Sequence, residues 1–90
     1  MPLISETIKI INKLGIHARP AALLVQKASQ YISKIELEND EIKVNGKSIM
    51  GVMMLAAAYD SELTIIADGG DAEKAIAGIK ELINSKFDEE

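Results

Sequence analysis

The sequence predicts an α+β fold, an open-faced two-layer sandwich in which a four-stranded antiparallel sheet carries three helices on one face, in the order β-α-β-β-α-β-α. Two observations point to it. Four segments rich in β-branched residues alternate apolar with polar side chains, and three others repeat apolar residues at helical spacing. Each strand then has one wettable face, which suits an antiparallel sheet covered on one side only. Ninety residues supply one hydrophobic core, so the whole chain, 1–90, is read as a single domain.

Ile4, Ile8 and Ile10 alternate imperfectly with Glu6, Thr7 and Lys9, and their β-branched character predicts a first strand over residues 5–11. Residues 12–16, with Gly15, form the following loop. Ala21, Leu24, Val25 and Ala28 then fall at i, i+3, i+4 and i+7, the stripe of a first helix over residues 18–30. In "KIELE", residues 34–38, Ile35 and Leu37 turn inward while Lys34, Glu36 and Glu38 turn outward. "NDE" reverses the chain into a short strand, residues 42–44, and completes a hairpin that Asn45-Gly46 ends. Ser48 is placed to N-cap a short second helix through Leu55, despite Gly51 in its middle. Ile49, Val52, Met53 and Ala56 would fill the buried face of that helix. "ELTIIAD", residues 62–68, alternates again as the fourth strand. After Gly69-Gly70, Asp71 can cap a final helix whose Ala72, Ala75, Ile76, Ile79 and Ile83 share one side. Only "FDEE", residues 87–90, reads as a tail.

Composition narrows the chemistry. Hydrophobic residues make up 48% and charged residues 27%, the balance of an ordinary globular domain. With no cysteine, disulfides, thiolate chemistry and sulfur-rich zinc sites are out of reach. One histidine leaves little for a transition metal, so no metal and no cofactor are expected. No run approaches the ~20 apolar residues of a bilayer span, and the N-terminus lacks a basic region ahead of an apolar one. The expectation is a cytoplasmic protein without membrane insertion. Net charge is −4 but uneven: residues 7–35 hold Lys9, Lys13, Arg19, Lys27 and Lys34 with no acidic side chain, whereas the chain after Tyr59 is strongly acidic. That basic segment favours an anionic ligand or an acidic partner, and the overall negative charge with few aromatics disfavours nucleic acid.

The lone histidine, His17, lies within the basic segment. A single histidine is more often a surface or capping residue than a reactive one, but its neighbours shift the reading. Pro20 falls in the first helical turn, where a missing N–H is harmless, which puts His17 at the N-cap or just before it. A helix start offers unpaired amides, here those of Ala18 and Arg19, and about half a positive charge, a ready site for phosphate. The Arg19 guanidinium adds a fork of donors matched to phosphate oxygens. Imidazole is both a nucleophile and a leaving group near neutral pH, so a phosphoryl group set on it can be passed onward. No second catalytic group is apparent elsewhere, which favours a carrier completed by a partner over a self-sufficient enzyme.

"LGIHARPAA" resembles the active-site segment of HPr, the histidine-containing phosphocarrier family of the bacterial phosphotransferase system, and "NGKSIMGVMMLAA", residues 45–57, resembles the family's second helix with its regulatory serine. The likeness spans nearly all 90 residues and the whole element order. It implies that His17 takes a phosphoryl group on Nδ1 from phospho-Enzyme I, itself charged by phosphoenolpyruvate, and hands it to an Enzyme IIA. It also implies that Arg19 pairs with the phosphoryl oxygens, that Pro20 fixes the helix start, and that Ile49, Met50 and Met54 form an apolar docking patch. "INSKFDEE" together with "KSIMGVMMLAAA" is similar to nitrogen-branch members, so sugar uptake and nitrogen or carbon regulation both stay open. A monomer is the expected state.

Met50 and Met54 stand at i, i+4 away from the face given to the core, and flexible thioethers suit a surface that accepts several partners; burial would make them core filler instead. "GKS" at residues 46–48 is not a nucleotide loop, since that motif requires glycine where Glu41 stands. By resemblance, Ser48 matches a serine that HPr kinase/phosphorylase modifies in some lineages, slowing transfer at the histidine and recruiting a transcription regulator. Two rivals to the carrier remain. One is a purely regulatory binding module acting through the Ser48 helix, and the other is a domain in which His17 and Arg19 hold an anion noncovalently.

Overall fold

The computed structural model describes residues 3–11, 15–55, 60–85 and 87. Its elements are β1 (Leu3–Lys9), α1 (Ala18–Ala28), β2 (Lys34–Glu38), β3 (Lys43–Asn45), α2 (Ile49–Leu55), β4 (Glu62–Asp68) and α3 (Ala72–Asn84). The four strands form one antiparallel sheet in the order β1-β4-β2-β3. The fold class and element order are those the sequence predicts.

Register explains which faces are wet. Leu63, Ile65 and Ala67 of β4 pair with Ile8, Glu6 and Ile4 of β1, and Ile65 and Ala67 pair with Leu37 and Ile35 of β2. Directly opposed residues share a face, so these side chains all point toward the helices. Leu63, Ile65, Ala67, Ile35 and Leu37 are buried in a core completed by Leu24 of α1, Val52 of α2 and Ile76, Ile79 and Ile83 of α3. Glu6 occupies the one helix-side position of β1 that breaks the apolar alternation. Its carboxylate meets the Lys80 ammonium of α3 at 2.7 Å, so the irregularity in the sequence is an ion pair across the two layers. On the open face, the Thr7 and Thr64 hydroxyls are 2.8 Å apart across β1 and β4.

β1 begins and ends two residues earlier than the alternation suggests, although Ile10 still donates to the Ser61 carbonyl and accepts from Asp60. β3 starts one residue later, because Ile42 closes a turn with Asn39, whose Oδ1 accepts from the amides of Glu41 and Ile42. α1 stops at Ala28 rather than residue 30. Helix α3 is approached closely at Gly78, where a Cβ would lie 2.9 Å from Lys27 Cε of α1 and would collide with the hydroxyl of Tyr31 in the loop that follows α1.

Three expectations are corrected. Asp71 is the N-cap residue of α3 but makes no side-chain capping bond. Its carboxylate instead accepts from the amides of Ile32 and Ser33 and from the Ser33 hydroxyl, tying the α1–β2 loop to the start of α3. The residues read as a tail begin with Phe87, which is fully buried and joins the core. A chain with so few aromatics gains by burying its one phenylalanine, worth about 2–3 kcal/mol of apolar transfer. The third correction concerns the buried face of α2.

Candidate functional site

His17 is the N-cap of α1, with extended backbone (φ −99°, ψ −164°), and its carbonyl accepts the first helical bond from Ala21. Ala18 and Arg19 are therefore the first and second helical residues and Pro20 the third. None of these three has an acceptor within the helix, and proline needs none. Pro20 is also buried, and Ile16 and Ala21, the residues flanking the cap on either side of the first turn, are both in the core. This staple-like arrangement fixes the angle at which the chain enters the helix, and hence where the imidazole stands.

The His17 side chain makes no capping bond to the helix. It is half-buried, and its Nε2 atom is closed off from solvent. Ala18 and Arg19 are exposed. The arrangement thus combines an imidazole with one ring nitrogen turned inward, two amides at the positive end of a helix, and a guanidinium two residues away. Together these groups can bind a phosphate-like anion against a nucleophile. Among the described residues, no group of three or more His, Asp and Glu side chains is arranged to hold a metal ion.

Ser48 is the N-cap of α2, as expected: its Oγ accepts from the Gly51 amide at 3.1 Å and its carbonyl from Val52 at 2.9 Å. Asn39 Nδ2 donates to the Leu55 carbonyl and fastens the far end of this helix to the hairpin. The buried side of α2 is not the predicted one. Val52 and Leu55 are buried, whereas Ile49 and Met53 are 46% and 45% exposed; Ala56 lies outside the described residues. The cause is Gly51, whose Cβ position lies 3.3 Å from the Asn45 carbonyl and Val44 Cβ of β3. Ser48, Gly51, Val52 and Leu55 therefore form the inward seam at i, i+3, i+4 and i+7. Ile49, Met50, Met53 and Met54 form the outward one, with Met50 72% and Met54 67% exposed. Met53 is the patch residue that sequence reasoning missed. Treating Gly51 as a contact rather than a flaw in the helix would have found it.

The chain resembles known proteins along nearly its whole length. Residues 4–85 match the family PTS-HPr, described as the PTS HPr component phosphorylation site. The chain is 49% identical to the phosphocarrier protein HPr of Treponema pallidum over 88 residues, covering 98% of this chain and all of that one. It also resembles the crystal structure of HPr-C-His from Thermoanaerobacter tengcongensis, with a TM-score of 0.92 and 50% identity, covering 97% of this chain and 98% of that one. An HPr dimer from the same organism matches with a TM-score of 0.78 and 51% identity, covering 91% and 94%.

Proposed function

The chain belongs to the HPr family of phosphocarriers of the phosphotransferase system, and on that premise we propose that His17 accepts a phosphoryl group from phospho-Enzyme I and passes it to an Enzyme IIA. The observation that carries this reading is the imidazole at the N-cap of α1 with Nε2 inaccessible and the first-turn amides of Ala18 and Arg19 beside it. With Nε2 turned inward, Nδ1 is the nitrogen that attacks. Its lone pair forms a bond to phosphorus as the donor's own phosphorus–nitrogen bond breaks, and the metaphosphate-like group is held by the helix amides and the Arg19 guanidinium. Transfer onward repeats the exchange with His17 as leaving group. Pro20 contributes by locking the first turn, so the cradle does not have to be assembled on each transfer.

Partner docking is assigned to Ile49, Met50 and Met54, and to Met53 with them. An exposed apolar seam rich in thioethers can repack against unlike surfaces, which suits a carrier that meets both a donor and a recipient. Ser48 is assigned as a regulatory phosphorylation site. Its Oγ already sits at a helix start, and a phosphate there keeps acceptor oxygens at the same amides while adding about two negative charges beside the docking seam. The carrier acts as a cytoplasmic monomer in this reading, and among the described residues no helix is long and apolar enough to cross a membrane.

Incubation with Enzyme I and phosphoenolpyruvate tests the central assignment. Acid-labile phosphate located on His17 by mass spectrometry is the expected result. Its absence, with Enzyme I itself phosphorylated, would overturn the carrier reading.

A further inference from the structure

Three of the chain's four methionines, Met50, Met53 and Met54, lie on the seven-residue helix α2, and the chain contains no cysteine. Thioethers are therefore its only oxidisable sulfur. Met50 and Met54 are more than two-thirds solvent-exposed, while Met53 is under half exposed. None of the three belongs to the core, to which α2 contributes Val52 and Leu55. The helix is held by other means: the Ser48 cap, the Asn39 bond to Leu55, and the Gly51 contact with β3. Chemistry at the two sulfurs thus reaches the surface without touching what folds the chain.

We infer that Met50 and Met54 form a peroxide-sensitive modification site, whose conversion to sulfoxide switches partner docking off while leaving the fold intact. The inference rests on the docking reading given above. In the reaction, the thioether sulfur attacks one oxygen of hydrogen peroxide; the O–O bond breaks, a sulfur–oxygen bond forms, and water is released. Sulfur is oxidised by two electrons and the peroxide is reduced by two. The product replaces a flexible apolar side chain with a polar one. On a seam whose use is to shed water against a partner, each sulfoxide must be desolvated without a matched donor opposite it. Reversal by a sulfoxide reductase consumes a dithiol, which becomes a disulfide as water is released, so the modification can act as a switch and not only as damage.

The test is to treat the purified protein with dilute hydrogen peroxide, map oxidation by peptide mass spectrometry, and measure the rate of phosphoryl acceptance from phospho-Enzyme I at limiting carrier concentration. The expected result is oxidation of Met50 and Met54 ahead of Met53, an unchanged circular dichroism spectrum, and a rate reduced about tenfold. Sulfoxide reductase with dithiothreitol restores the rate. In M50L/M54L, at a peroxide dose that spares Met53, the ratio of treated to untreated rate stays at one, because leucine has no sulfur to oxidise. Oxidation that falls first on Met53, or that unfolds the protein, overturns the inference. If the oxidised protein keeps its rate while M50A/M54A is slowed, the switch is wrong and the docking reading survives. If neither sulfoxide nor M50A/M54A alters the rate, the docking reading fails and takes the switch with it.

Discussion

The starts of α1 and α2 share an N-cap residue whose carbonyl accepts the first helical bond, and they are finished in opposite ways. At α2, the Ser48 hydroxyl accepts from the third amide of the helix, closing the positive end with the protein's own oxygen. At α1, the N-cap is a histidine whose side chain makes no such bond, and Pro20 removes one of the donors that would otherwise need a partner. A capped helix start gains about 1 kcal/mol and presents less to a ligand, while an uncapped one forgoes that gain and keeps its amides for an anion from outside. The contrast teaches that a missing cap is informative through what stands beside it: at α1 the open start lies next to an imidazole and a guanidinium, whereas α3, also without a side-chain cap, has lent its Asp71 carboxylate to the loop before β2.

Replacing His17 by serine reverses the contrast most sharply. Phosphoryl acceptance should fall by at least about three orders of magnitude, because the nucleophile is gone, while stability should rise by about 0.5–1 kcal/mol as serine closes the cap. Acid-labile labelling and urea unfolding of the same preparation check both halves; a variant that is less stable than the parent would mean that the imidazole already does the work of a cap. Arg19→Ala leaves the nucleophile and amides in place and removes only the guanidinium. Transfer should slow by about ten- to a hundredfold without vanishing, the worth of one charge-assisted bond to phosphate, and equal rates in a stopped-flow assay would remove Arg19 from the cradle.

The third helix start extends the comparison to pH. Asp71 stands at the N-cap of α3 but gives its carboxylate to the loop before β2, and its pKa is lowered, first by the Ser33 hydroxyl and further by the amides of Ile32 and Ser33, against the opposing effect of desolvation. A folded-state value below the unfolded one means that the contribution is complete above the unfolded value and is lost as pH falls through the folded one. Urea midpoints measured downward from pH 6 should therefore drop more steeply in the parent than in Asp71→Asn, chiefly below about pH 4. Parallel profiles would show that the three bonds do not depend on the charge. Smallest is Ser48→Ala, which removes one cap and should lower the unfolding free energy by about 1 kcal/mol. A change within error in a denaturant titration would mean that the α2 start is no better closed than that of α1.

Much of this was legible beforehand because it is local. The strands over residues 34–38 and 62–68 have the observed bounds, since alternation and flanking turn residues act within a few positions of one another. The His17 cap was legible from Pro20, and the Ser48 cap from the hydroxyl alone. Errors gather where the partner lies in another element. The seam of α2 is rotated because Gly51 meets Val44 and Asn45 of β3. Phe87 follows a charged and polar stretch that gives no hint of the core it enters, and Glu6 reads as a flaw in β1 until Lys80 is brought above it.

From the order of residues alone came the element sequence, the two-layer α+β arrangement, and an imidazole, a guanidinium and a proline gathered at one helix start, because periodicity and capping are settled by neighbours a turn away. Only the folded chain decided which imidazole nitrogen faces inward, which methionines stay in water, and that Asp71 bonds to Ser33, 38 residues earlier, instead of to its own helix. Each of these depends on how elements pack against one another, and that packing is a property of the assembled layers that no window of sequence contains.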